Sequence, residues 1–63
     1  MTTKLQDLTP ADEGIIAVTM EECQDRGLGC DDTVDQVYAA LSFEAGFSRT
    51  DAEVHAYQAV HGG

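Results

Sequence analysis

Positive charge is nearly missing from this 63-residue chain. Three Lys and Arg (Lys4, Arg26 and Arg49) stand against twelve Asp and Glu, for a formal net charge of −9. Proteins that bind DNA or RNA draw most of their affinity from neutralising phosphates with Lys and Arg. Direct nucleic-acid binding is therefore not expected, nor is docking on an anionic membrane surface. A basic protein surface is the complementary partner. The same acids also serve to keep a small domain soluble.

Long apolar runs are lacking too. No segment approaches the roughly 20 apolar residues that cross a bilayer. Met1 to Asp7 carries one Lys and no apolar stretch, unlike a secretory signal. The expected location is the cytoplasm, where the two cysteines, Cys23 and Cys30, stay as thiols. Aromatics are few: Tyr38, Phe43, Phe47 and Tyr57. The shortness of the chain bounds the rest. A domain of this size buries only about 60% of its unfolded surface, so a lean core, or one that a second copy completes, is expected.

What is present is helical periodicity. Residues 1–8 read as a flexible lead-in and 9–63 as a single three-helix domain. Thr9-Pro10-Ala11-Asp12-Glu13 combines an N-cap, a proline at the first helical position and acids at the positive helix end. Ala11, Ile15, Ile16, Met20 and Cys23 then recur at three- and four-residue steps, widened by Val18 and Thr19. Gly14 weakens that helix, and Gly27-Leu28 resembles a Schellman stop. The first helix is predicted over about residues 10–26.

Gly29, Cys30 and Asp31 read as a connector, with Asp32 or Thr33 capping a second helix and Thr33–Gln36 as a capping box. Val34, Val37, Tyr38, Leu41 and Ala45 line its face over about 33–45, and Gly46-Phe47 repeats the stop. Ser48, with Asp51 three residues on, opens a third helix over about 49–61, striped by Val54, Tyr57 and Val60. No stretch alternates long enough to argue for a strand. The fold class is all-α: three short helices in a small bundle.

Four chemical readings compete with a purely structural one. Ala45-Gly46-Phe47-Ser48 has the glycine turn of a helix–turn–helix, which would make the 33–61 segment a DNA-associated regulator. A third helix presenting Arg49, Thr50, Asp51, Glu53 and Gln58 is a poor match to phosphate, and Gly46 reads better as an ordinary helix stop. Cys23, Cys30, His55 and His61 are a zinc-like set. The cysteines have six residues between them, however, and the histidines sit roughly 240° apart around a helix. Cys23 is better read as core, Cys30 as a loop thiol and both histidines as surface, with no metal or cofactor. A Cys–His nucleophile would sit among acids that oppose a thiolate. With no serine elbow, glycine-rich phosphate loop or calcium-loop spacing, no enzymatic activity is expected.

The fourth reading is a partner-binding acidic patch. Glu21, Glu22, Asp25, Asp31, Asp32 and Asp35 surround the first connector, opposed by Arg26. Asp31, Asp32 and Asp35 also have a local role at a helix N-terminus. Phe43 lies about 200° around from Leu41, off the second helix's stripe. With Phe47 it forms a candidate apolar interface for a partner or for a homodimer, the latter a structural self-assembling module.

Taken whole, the chain resembles the small acidic accessory proteins encoded in the exo–xis region of lambdoid bacteriophages. The resemblance runs from Met1-Thr2-Thr3-Lys4-Leu5-Gln6-Asp7-Leu8 through Cys23-Gln24-Asp25-Arg26-Gly27-Leu28-Gly29-Cys30 to Gly62-Gly63. It rests on overall likeness and length rather than on a chemical motif. It implies an all-helical, non-enzymatic early protein that influences phage development, the lysis–lysogeny choice and the host cell cycle. It carries over no catalytic residues. The expectation is binding to a host or phage protein.

Overall fold

A computed structural model describes residues 6–62. Three helices follow in order: α1 (Pro10–Asp25), α2 (Cys30–Phe43) and α3 (Arg49–His61). No strand occurs among the described residues. The radius of gyration, 11.2 Å, is near the roughly 10.6 Å that a compact chain of this length takes. The all-α bundle expected from periodicity is present.

The ends of α1 form as their sequence dictates. Thr9 Oγ1 accepts from the Asp12 N–H at 3.2 Å, and Asp12 Oδ2 accepts from the Thr9 N–H at 3.0 Å. This reciprocal pair satisfies two backbone donors that a helix start leaves free. At the other end Gly27 takes φ +72°, the left-handed region that side chains resist. Gly27 N–H then reaches Gln24 O and Leu28 N–H reaches Cys23 O, both at 3.0 Å, completing the Schellman pair.

The start of α2 differs from the sequence reading by three residues. The extended backbone of Gly29 opens the helix with no side-chain cap, so Cys30, Asp31 and Asp32 are helical. Thr33 does not cap. Its hydroxyl donates back to Gly29 O at 2.8 Å from a buried position inside the first turns. A threonine within a helix commonly bonds to the carbonyl four residues earlier, and here that bond replaces the Thr33–Gln36 box. The helix ends at Phe43, after which Gly46 takes φ +76° and Phe47 N–H reaches Leu41 O at 3.1 Å. Ser48 Oγ accepts from Asp51 N–H at 3.3 Å to open α3.

Helix α2 is the shared partner. It packs along both α1 and α3, which touch each other little. Leu41 and Val37 are its fully buried side chains, surrounded by Ile16, Phe47, Ala52 and Ala56. Two faces differ from the sequence reading. Helix α3 buries Ala52, His55 and Ala56, whereas Tyr57 stays 59% exposed. Ala11 and Val18 of α1 face outward. Alanine on α3 lets its backbone approach α2 closely, and that proximity outweighs the greater hydrophobicity of Val54 and Tyr57.

The lead-in also needs correction within the described residues. Gln6 N–H donates to Asp51 Oδ2 at 3.3 Å, and His55 Nε2 is hydrogen-bonded to Gln6 O at 2.5 Å. Leu8 packs on the core. The segment 6–8 thus lies along α3 rather than trailing free; residues 1–5 fall outside the described part.

Candidate functional site

The connector between α1 and α2 spans residues 26–29, so the two helix ends it joins lie side by side. This gathers the six acids named from sequence at one end of the bundle. Glu21, Glu22 and Asp25 come from the last turns of α1, and Asp31, Asp32 and Asp35 from the first turns of α2. All six are exposed.

The two halves have different local energetics. Asp31 and Asp32 sit at the positive end of α2 and stabilise it, by about 0.3–1 kcal/mol each at low ionic strength. The α1 trio sits toward the negative end of its helix, whose last turn holds no base and where Arg26 at the C-cap is the one nearby cation among the described residues. These three acids work against their own helix. Solubility alone would be served as well by acids elsewhere, so the trio is the part of the patch that local structure does not explain.

The ligands of the zinc-like set are differently placed. Cys23 is buried and Cys30 exposed, both as free thiols. Cys30 is the first helical residue of α2 rather than part of a loop. His61 is exposed and lies against Tyr57, ring centroids 4.5 Å apart and tilted by 39°. His55, read from sequence as surface, is 8% exposed. Its ring meets Phe47 edge-on at 5.4 Å and 89°, and Nε2 is taken by Gln6 O. Among the described residues, no three His, Cys, Asp or Glu come together in a way that could hold a metal ion.

The apolar pair from sequence is split. Phe43 is 86% exposed, whereas Phe47 is 4% exposed and belongs to the core. Phe47 follows the left-handed Gly46, which turns the chain back over α2 and carries the ring inward; as a buried side chain it offers no interface. The outward face of α1 adds a shallow apolar surface of Ala11, Gly14, Ile15 and Val18, bounded by Glu22 and Glu44.

Sequence reasoning missed the strap of residues 6–8 with its two partners on α3. The available signal was Leu8, an apolar residue placed directly before the cap. Along α3, Arg49, Thr50, Glu53 and Gln58 are exposed, while Asp51 is half-buried and engaged with Gln6. No described helix is long and apolar enough to cross a membrane. Compared with protein-family models, curated proteins and solved structures, the chain matches none.

Proposed function

We propose that this chain is a non-enzymatic phage accessory protein that modulates phage development or host cell-cycle processes by binding a basic protein partner in the host cytoplasm. The observation that carries the reading is the exposed α1 trio, Glu21, Glu22 and Asp25, held against its own helix dipole beside Asp31, Asp32 and Asp35. A partner bringing Lys or Arg to this end would relieve that repulsion, so the unfavourable charge becomes part of the binding free energy. The phage context follows from the resemblance of the whole chain to the exo–xis accessory proteins.

Affinity capture from infected bacterial lysate tests it, with the chain compared against Glu21→Gln/Glu22→Gln/Asp25→Asn. The expected result is a protein retained by the former at low salt and lost by the variant. Identical captured sets would overturn the patch as the binding element.

A second reading, self-association, is favoured by one observation, the nearly full exposure of Phe43. A pair of chains would carry −18 (twice −9), so salt should tighten the dimer by screening its acids beyond roughly 8–10 Å. Sedimentation at two salt concentrations should give a dimer mass that Phe43→Ser lowers. A monomer at high protein and high salt would rule it out.

A further inference from the structure

Because α3 buries its alanines, a second apolar set is left over where α2 and α3 meet. Val34 and Tyr38 of α2 are half-buried there, as is Val54 of α3, and Tyr57 stands beside them largely exposed. They line two adjoining surface depressions of about 440 Å³ and 230 Å³ that share Val34 and Glu53. No residue of α1 contributes to either. Each wall carries an exposed acid, Asp35 on α2 and Glu53 on α3. None of the residues lining the depressions is basic.

We propose that this α2–α3 groove binds one basic amphipathic helix of a partner protein. Helices of 14 and 13 residues are about 20 Å long, room for three to four turns of a third helix laid between them. Apolar residues at i, i+3, i+4 and i+7 of that helix would meet Val34, Tyr38, Val54 and Tyr57. Lys or Arg on its flanks would meet Asp35 and Glu53. Charge selects this occupant over a second copy of the chain. With three Lys and Arg against twelve acids, no helix of a second copy offers two basic flanks. Nucleic acid is excluded by the same charge. The inference deepens the proposed partner binding, and it places the apolar recognition on the α2–α3 face, away from the α1 trio, with Asp35 common to the groove and the acidic end.

The test is amide-shift mapping on the full chain with three synthetic 18-residue Leu/Lys peptides or relatives. One has helical apolar period, one has the same composition scrambled, and one has Glu in place of Lys. The periodic Lys peptide should bind with shifts centred on residues 34–38 and 53–58. The scrambled peptide should bind at least roughly tenfold more weakly and the Glu peptide not at all. Tyr57→Ala and Glu53→Lys change exposed side chains, so the fold should persist, as circular dichroism will verify. Each should weaken the periodic peptide about tenfold. Glu21→Gln/Glu22→Gln/Asp25→Asn should change it less than about twofold, these charges lying on another face. Equal binding of the scrambled peptide, or shifts centred on residues 21–32, overturns the groove while leaving the acidic-end reading standing. Groove binding that persists when lysate capture finds no partner for the acidic end separates the two in the opposite direction.

Discussion

Glycine plays opposite parts at position 14 and at positions 27 and 46. Gly14 lies inside α1, exposed, with nothing within 4 Å of an added Cβ. Its missing side chain costs helix stability with no packing return in the monomer. Gly14→Ala should raise unfolding free energy by about 0.5–1 kcal/mol, read from urea midpoints at unchanged slope. Gly27 and Gly46 also have open space around them, but their φ of +72° and +76° is the constraint. Alanine at either should cost about 1–2 kcal/mol. A neutral Gly27→Ala would mean that the Schellman turn contributes nothing. These positions were legible in the sequence because caps and stops are local: Thr9, Asp12, Gly27 and Ser48 act within one turn. Thr33 was misread because its hydroxyl can satisfy either of two local bonds. His55 was misread because its surroundings include Phe47 across the α2–α3 turn and Gln6, 49 residues away.

At the scale of elements, the three helices were legible from period and punctuation, while the orientation of α3 was not. Its sequence offers two stripes: Val54, Tyr57 and Val60, of which Val54 and Val60 are half-buried and Val60 packs on the core, or Ala52 with His55 and Ala56. Hydrophobicity favours the first, and close helix approach favours the second. Both Ala52 and Ala56 are fully buried, so a larger side chain has no room. Ala56→Leu should destabilise by about 1–3 kcal/mol through overpacking. The same change at Glu53, on the outer face, should stay within about 0.5 kcal/mol. Chemical denaturation of both variants checks the assignment, and a tolerated Ala56→Leu would restore the rejected stripe. The candidate site was legible in part. The acidic end needed only the short connector between α1 and α2, whereas the groove depends on which stripe of α3 faces inward.

For the whole molecule, two facts set stability: a core whose fully buried large side chains are Leu41 and Val37, and a net charge of −9. Total stability for this length is of the order of 3–9 kcal/mol. Leu41→Ala, at about 2–5 kcal/mol, would therefore remove much of it, and the variant should melt at or below room temperature or show no cooperative transition. Self-repulsion works in the same direction. Sodium chloride from 10 to 300 mM should raise the melting temperature as screening shortens to under about 10 Å. A falling melting temperature would indicate that attractive ion pairs outweigh repulsion.

The strap has a consequence in time rather than in energy. Its bond to His55 joins residues 49 apart, and closing so long a loop costs roughly 3 kcal/mol of chain entropy. The strap's two hydrogen bonds, to His55 and to Asp51, together return only about 1–3 kcal/mol. The strap therefore cannot form until α2 and α3, joined by a five-residue turn, have already brought α3 into place. A contact absent from the transition state affects unfolding alone. Removing residues 1–7 should leave the refolding rate within about twofold and accelerate unfolding several-fold. In stopped-flow experiments the unfolding arm of the chevron would move while the folding arm stays. The strap is thus a latch on the exit from the native state, and it plays no part in the approach to it.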